Sequence, residues 1–377
     1  MNKEPVDIER FLPFGEMLRG FVEQPFVTKS DVSDVLRSRG VFVNPNDKKE
    51  TIPWLMNMLL SPDEFDRLRE SQKTKEDNPK INTQTIPWAS DDSLIDSVPD
   101  NFDINAVLDL EFSNFSVVGS PNFVPLEDDS DHVILDFEIE RRDYSKNWAS
   151  TESVYKGSLE LQKIEDGDSV KLVVTHTADE TRYVANKAAS GLVKHFKKRG
   201  CVSESANIQR ILFNKFDNCS RIDYFLSLSR DITSSVFSFK DVVDIEFSPE
   251  GDRDLPEGME WMEKRIEDLR VNGKSLHETL FITDSEYHPY LHLYHMETRF
   301  EFDYKGLKGE CVISAGFPDY GKSKKGDAEF EVNVKSFKCE KSSKVSRAEI
   351  GKFLLREFDR LKLESFEKAM GDASAGG

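Results

Sequence analysis

Acidic side chains alternate along one segment of the sequence in a pattern that could hold a metal ion. Asp136, Glu138 and Glu140 share one face if residues 132–140 form a strand, because successive strand side chains point to opposite faces. Carboxylates gathered in this way bind Mg²⁺, which metal-dependent nucleases use to activate water. The alternative is a solvent-facing strand whose charges prevent edge-to-edge pairing.

A second acidic set lies near the end of the chain. Glu329 and Glu331 alternate on another strand-like segment, and Lys335 follows four residues later, where a lysine could position a water molecule. Mg²⁺ is a cofactor only under this nuclease hypothesis, and the sequence otherwise indicates none. With 70 acidic residues in the chain, such spacings also arise by chance.

Three histidines form the other set with metal-ligand chemistry. His288, His292 and His295 have the spacing that a helix would align. Pro289 and the alternating sequence that follows favour a strand instead, on which His288 and His292 share a face and His295 points away. Satisfied or surface histidines are the main expectation, and a metal held by His288 and His292 is the minor alternative.

Basic residues are concentrated in one stretch of a strongly acidic chain. The net charge of −19 discourages general nucleic-acid binding, because phosphate contacts need positive surface. Residues 182–199 nevertheless carry six basic residues and no acid: Arg182, Lys187, Lys194, Lys197, Lys198 and Arg199. Such segregation favours contact with nucleic acid. The alternative is a solvated helix face, with cations favoured near the helix C-terminus.

Length and composition limit the class of protein. A chain of 377 residues holds two or three domains. No run approaches the roughly 20 apolar residues of a membrane helix, so no membrane partner is expected. The first residues lack a signal peptide, and the four cysteines are widely spaced without a C-x-x-C, which predicts a cytoplasmic protein with reduced thiols. No nucleotide-binding or hydrolase motif is present, which favours a protein without enzymatic activity.

The most self-contained segment is 28–70. Residues 35–41, VLRSRGV, end one apolar-periodic helix, and Ile52 and Leu55 lie on a second helix after an extended loop. This pattern resembles the SAP-type helix–extended loop–helix module. The resemblance implies duplex DNA binding through the basic residues Arg37, Arg39, Lys48 and Lys49. A small helical cap without a ligand and a winged-helix-like module are the alternatives.

The order of landmarks after residue 104 indicates an internal duplication. Each copy contains an acidic strand, a Tyr-Lys-Gly and a capping box before an amphipathic helix. The matched positions are Asp109 and Asp244, Tyr155 and Tyr304, and Thr177 and Ser346. Chance similarity between strand–turn–helix units is the alternative.

These patterns predict an α+β protein with a small N-terminal helical module and a duplicated strand-rich region, each copy ending in a capped amphipathic helix. The expected divisions are the module at 1–70, a polar linker at 71–103, a first copy with a helical extension at 104–240, a second copy at 241–370 and a disordered tail at 371–377. We expect a non-enzymatic binding or adaptor protein with nucleic acid or protein as its partner. The alternatives are a metal-dependent nuclease using the carboxylate strands and a structural subunit of a protein complex.

Overall fold

A computed structural model describes residues 12, 14–23, 27, 29–43, 48–65, 68, 78–108, 114–142, 152–164, 167–251, 255, 256, 259, 262, 266–339 and 345–375. These residues form helices and one large antiparallel sheet, so the predicted α+β class is confirmed. Within these ranges no helix is both long enough and apolar enough to span a bilayer.

The N-terminal helices form a core of their own. They are α1 (Glu16–Val22), α2 (Lys29–Ser38) and α3 (Lys48–Met56), followed by a helical turn at 62–65. Their apolar faces bury Leu18, Val32, Leu36, Ile52 and Leu55, among others. Gly40 ends α2 in a left-handed conformation (φ 74°), which glycine adopts without steric cost.

Within the described residues, twelve strands form the sheet. Their bounds are β1 (Lys80–Pro87), β2 (Phe115–Val118), β3 (Val124–Leu126), β4 (Asp129–Arg142), β5 (Glu152–Lys163), β6 (Ser169–His176), β7 (Gln209–Arg210), β8 (Phe237–Pro249), β9 (Leu269–Asn272), β10 (Leu291–Tyr304), β11 (Leu307–Gly316) and β12 (Glu331–Cys339). The order across the sheet is β2-β4-β5-β6-β1-β12-β11-β10-β8-β9, with β3 beside β4 and β7 beside β1.

The sheet carries two long helices and several short ones. They are α4 (Leu94–Ser97), α5 (Asp179–Arg199), α6 (Asn218–Ser227), α7 (Leu280–Thr283), α8 (Pro318–Ser323) and α9 (Arg347–Ala375). Residues 371–375, expected to be a disordered tail, continue α9. Single 3-10 turns occur at Ile104–Val107, Phe213–Lys215, Leu276–Glu278 and His288–Tyr290.

Strand β1 lies at the centre of the sheet, between β6 and β12. It falls inside residues 71–103, so the prediction of a polar linker there is wrong for residues 80–87. The polar side chains that suggested a linker are buried instead, with Asn82 and Gln84 fully enclosed. Burial of such groups is tolerated because Asn82 and Gln84 make hydrogen bonds to neighbouring elements.

The two long helices cover opposite faces of the sheet. On β6, Leu172 and Val174 pack in the cluster that contains α5, whereas Val173 packs in the cluster that contains α9. Because neighbouring strand residues point to opposite faces, the sheet separates the two helices. The face beneath α5 is here named the α5 face and the other the α9 face.

Each side of β1 holds a meander of three strands that ends in one of these helices. On one side β4, β5 and β6 precede α5, and on the other β10, β11 and β12 precede α9. β6 and β12 both run antiparallel to β1, so they run parallel to each other. Asp109, in the predicted acidic strand of the first copy, lies outside the described residues, and its counterpart Asp244 lies in β8.

The predicted capping residue is observed at the start of α9 but not at the start of α5. Ser346 accepts a hydrogen bond from the Glu349 amide (3.1 Å), as expected for the start of α9. At α5 the predicted cap Thr177 instead donates its hydroxyl to a backbone carbonyl of β5. The oxygen that satisfies the free amides belongs to Thr181, which accepts from the amides of Thr177 and Ala178 at 3.1 and 3.0 Å.

Candidate functional site

Three lysines lie along one exposed line of α5. The inner face of this helix buries Val184, Ala188 and other small apolar residues against the sheet, so the opposite face must point outward. Lys187, Lys194 and Lys198 fall within about 40° of one another on that face, at 100° per residue. At 1.5 Å per residue, the line is about 16 Å long.

No carboxylate pairs with these three lysines in the part of the chain that the structure describes. The ammonium of Lys187 lies 5.5 Å from the centroid of the Tyr183 ring, one turn earlier, as in a cation–π contact. Tyr183 was not among the residues predicted from the sequence, although its four-residue spacing from Lys187 is a usable signal. The line therefore presents positive charge beside an aromatic ring.

The other predicted basic residues of α5 make contacts within the fold. Arg182 forms an ion pair with Asp319 of α8, with Nη1 2.8 Å from a carboxylate oxygen. Lys197 and Arg199 donate to backbone carbonyl oxygens of neighbouring segments at 2.8 and 2.9 Å. The six basic residues thus divide into three that stabilise the fold and three that are available on the exposed line.

The four basic residues that were predicted to contact DNA in segment 28–70 are also divided. Arg39 joins the end of α2 to the turn at 62–65, because its guanidinium donates to Glu64 (2.7 Å), and this contact lowers the pKa of the Glu64 carboxyl to about 2. Arg37 pairs at 3.3 Å with an acid one turn earlier on the exposed surface. Lys48 and Lys49 begin α3, but their side chains lie outside the described part of the structure.

Two of the first acidic residues line a shallow groove on the α9 face. Asp136 and Glu138 of β4 face Lys156 of β5 across a groove of about 600 Å³, which the loop containing Ser120 closes on one side. The Lys156 ammonium lies 3.3 Å from Glu138. Glu140 does not line this groove. Lys156 was missed in the sequence because only the strand register places it opposite Glu138.

The second acidic set lies on the α5 face, so it cannot form one site with the first. Glu331 is buried at the sheet centre, where His176 Nε2 and Lys80 Nζ approach its two oxygens at 3.2 and 3.3 Å. Lys335 pairs with Glu297 of β10 at 2.5 Å. Glu331 and Lys335 therefore belong to different ion pairs.

A buried polar network surrounds Gln84 of β1. Its amide nitrogen donates to Asn186 of α5 (2.9 Å) and to Glu329 (3.2 Å). Burial raises the pKa of the Glu329 carboxyl, because the charged form loses its hydration. This network joins α5 to the two halves of the sheet, which indicates a structural role for Glu329.

The predicted histidine pair is divided between two elements. His288 lies in the 3-10 turn before β10, with Nε2 3.2 Å from the Ile282 carbonyl. His292 lies within β10, where Nε2 approaches Glu250 at 2.8 Å and Nδ1 accepts from the Tyr320 hydroxyl at 2.6 Å. The two rings are therefore engaged by different neighbours.

His295 instead lies beside Asp244 and Glu246 of β8, a grouping that the sequence does not mark. The residues are about fifty positions apart along the chain. They meet only because β10 pairs with β8 in a register that includes bulges.

Comparison with known proteins gives one partial similarity. The family model described as the GAPS4b protein N-terminal domain matches residues 16–78, which include α1, α2 and α3. The match ends before β1. No curated protein and no solved structure matches the chain.

Proposed function

We propose that this protein is a non-enzymatic binding protein that contacts the phosphate backbone of a nucleic acid through Lys187, Lys194 and Lys198. The observation that carries the proposal is their alignment on the exposed face of α5. A lysine ammonium binds phosphate as a hydrated point charge without requiring one base sequence.

The length of the line suits a short stretch of backbone. About 16 Å spans roughly five nucleotides of one strand at 3.4 Å per nucleotide. The Tyr183 ring beside Lys187 offers a surface on which an unpaired base could stack. The strongly acidic remainder of the chain would limit contact to this helix and make binding sensitive to salt.

A salt titration tests the proposal. Labelled duplex and single-stranded DNA and RNA are titrated with the protein, in the presence of a chelator, at several salt concentrations. Three phosphate contacts predict a slope of about −2.7 for log K against log salt with duplex DNA. Replacing Lys187, Lys194 and Lys198 together by glutamine should abolish the binding.

A second triple variant controls for net charge. Lys274, Lys308 and Lys352 are exposed elsewhere in the protein, and replacing them by glutamine removes the same number of positive charges. This variant should keep nearly all of the wild-type affinity. Equal loss in both variants, or no binding by the wild type at 50 mM salt, would contradict the proposal.

A metal-dependent nuclease is a second candidate, supported by the groove that contains Asp136, Glu138 and Lys156. Carboxylates beside a lysine are groups that bind Mg²⁺ and orient a water molecule. Under this hypothesis, Mg²⁺ produces cleavage of the bound nucleic acid, and Asp136→Asn or Lys156→Met abolishes cleavage while binding persists. Intact substrate after long incubation with Mg²⁺ would exclude it.

A protein partner is the third candidate. The N-terminal module exposes the large apolar side chains of Phe42, Trp54 and Leu59, and exposed apolar surface is typical of protein contacts. The SAP-type resemblance offers DNA as the other ligand of this module, through Arg37, Lys48 and Lys49. Serine at the three apolar positions would abolish a protein contact, whereas glutamine at the three basic positions would weaken only a DNA contact.

Two further expectations belong with this proposal. A cytoplasmic location is supported by the thiols of Cys201, Cys219, Cys311 and Cys339, which are all free. Duplication of an ancestral unit is supported by the two meanders that each end in a long helix on opposite faces. If one meander with its helix were expressed alone and formed a homodimer, that result would support such an origin.

A further inference from the structure

Strands β8 and β10 gather three carboxylates and one imidazole on the α5 face. Asp244 lies opposite Glu297, and Glu246 lies opposite His295. Residues opposite each other, and residues two apart on one strand, share a face of the sheet. Asp244 begins a row of residues that are paired across successive strands. The row continues towards the sheet centre with Glu297, Ser314, Asn333, Lys80 and His176.

The donor atoms of three of these residues are close enough to share one ion. One oxygen each from Asp244 and Glu246 and one ring nitrogen of His295 lie within 4.8 Å of one another. Some point therefore lies within about 2.8 Å of all three atoms, and small side-chain rotations would reach the 2.0–2.2 Å typical of metal–ligand bonds.

The His295 ring has an orientation that suits a metal ligand. Its Nε2 lies 2.9 Å from the Ser314 hydroxyl, and such a contact on one nitrogen fixes the ring and leaves the other free to bind a metal. Nδ1 is buried and makes no hydrogen bond within the described structure. It lies 3.5 Å from Glu246 Oε1, and a cation between the two would satisfy both atoms.

The backbone around His295 is adapted to this position. The register of β10 against β8 shifts between Leu293 and His295, and a bulge of this kind re-aims the next side chain. Gly316 lies opposite His295 on β11. A Cβ at Gly316 would lie 2.4 Å from the Tyr294 carbonyl oxygen, so only glycine lets the two strands approach so closely here.

An arginine now supplies the positive charge at this position. Arg270 of β9 lies 2.6 Å from Asp244 and 3.4 Å from Glu246, and its side chain is 56% exposed. Glu297 is neutralised separately by Lys335. Asp244 is fully buried, whereas Glu246 remains open to solvent at its edge, which gives an ion a path of entry.

We propose that Asp244, Glu246 and His295 bind one divalent transition-metal ion, and that Arg270, which donates to both oxygens of Asp244 as well as pairing with Glu246, withdraws from the two carboxylates when the ion enters. Two carboxylates and an imidazole suit Mn²⁺ or Zn²⁺ better than Mg²⁺ or Ca²⁺, which favour all-oxygen ligand sets. The site is separate from the lysine line on α5, so it does not depend on the proposed contact with nucleic acid.

Titration of the full-length chain with Mn²⁺ tests the site. The protein is freed of metal with a chelator and then titrated while electron paramagnetic resonance measures the free ion. We expect one ion per chain, with electron spin echo modulation from a coordinated ¹⁴N nucleus. Glu246→Gln and His295→Gln should each weaken binding at least tenfold, and His295→Gln should remove the nitrogen modulation.

Two further variants separate this site from general acidity. Arg270→Gln removes the competing cation and should raise the affinity for Mn²⁺ several-fold. Glu301→Gln, at an exposed acid of the same strand, should leave the affinity unchanged. Circular dichroism establishes that each variant is folded, and Glu246→Gln carries the test if His295→Gln does not fold.

Absence of saturable binding by the wild type would overturn the proposal. So would binding that persists unchanged in Glu246→Gln, or binding without nitrogen modulation in the wild type. A lower affinity in Arg270→Gln would show that the arginine supports the ion rather than competing with it, and would overturn the proposed exchange.

Discussion

The ammonium group of Lys362 lies 2.5 Å from the carboxylate of Asp359, one turn earlier on α9, and both side chains are buried. Lys362 also donates to the hydroxyl of Thr83 on β1 at 3.0 Å. Lys171 of β6 approaches the other Asp359 oxygen at 3.5 Å. The buried pair therefore joins α9 to the neighbouring central strands β1 and β6.

Breaking this pair from one side should be costly. Asp359→Ala leaves the Lys362 ammonium buried without its partner, and we expect a loss of about 3–5 kcal/mol in the free energy of unfolding. The double variant Asp359→Leu with Lys362→Met removes both charges and should recover most of that loss. Urea unfolding measures each value, and Glu364→Gln, which breaks an exposed pair on α9, should cost less than about 1 kcal/mol.

The Arg39–Glu64 pair should make the N-terminal helices sensitive to acid. The folded-state pKa of Glu64 is about 2, below the ordinary value of 4.5, so the pair stabilises the module above pH 4.5. This contribution should be lost as the pH falls from about 4.5 towards 2. Hydrogen exchange of peptides from residues 29–65, corrected for intrinsic rates, measures the change, and Arg39→Gln should largely remove this pH dependence.

Glu329 should affect the pH dependence of stability in the opposite direction to Glu64. Its pKa is raised in the folded state by burial, so its ionisation opposes folding as the pH rises above the unfolded-state value. Glu329→Gln should therefore stabilise the protein at neutral pH and have little effect below pH 4. Thermal unfolding at both pH values measures the difference, and a variant that is less stable at pH 7 would show that the carboxylate is needed in its charged form.

Two glycines should respond oppositely to alanine. A Cβ at Gly157 of β5 would lie 2.5 Å from the buried Phe137 ring, so Gly157→Ala should destabilise the protein by about 1–3 kcal/mol. Gly351 lies within α9, where a Cβ would make ordinary contact with Phe337 at 3.4 Å. Gly351→Ala should stabilise the protein by about 0.5–1 kcal/mol, since alanine favours a helix. Equal effects in urea unfolding would contradict this contrast.

Local sequence patterns predicted the helices whose apolar residues recur at helical spacing or whose first residue is a capping side chain. The spacing from Val184 to Phe196 predicted α5, and the hydroxyl of Ser346 predicted the start of α9. Lys187, Lys194 and Lys198 were among the six basic residues that charge segregation in residues 182–199 marked, and their spacing aligns them on the observed helix. Only the division of the basic set into free and engaged residues required the structure.

Long-range pairing accounts for what the sequence did not predict. Asn82 and Gln84 resemble linker residues until β6, β12 and α5 surround them with partners. The meeting of His295 with Asp244 depends on a bulged register between two strands. Neither the burial of Asn82 and Gln84 nor the contact between His295 and Asp244 produces a local sequence pattern, because the partner residues come from distant parts of the chain.

The central position of β1 has a consequence for synthesis of the chain. β1 can pair with β6 once residue 176 has left the ribosome, but its other edge awaits β12, which begins at residue 331. At 5–20 residues per second, the intervening residues take roughly 8–30 s to make. During that time β7 covers only Gln84 and Thr85 of the open edge. An emerging half-sheet with an unpaired strand is a template for neighbouring nascent chains, so chaperone capture on polysomes should depend on residues 80–83.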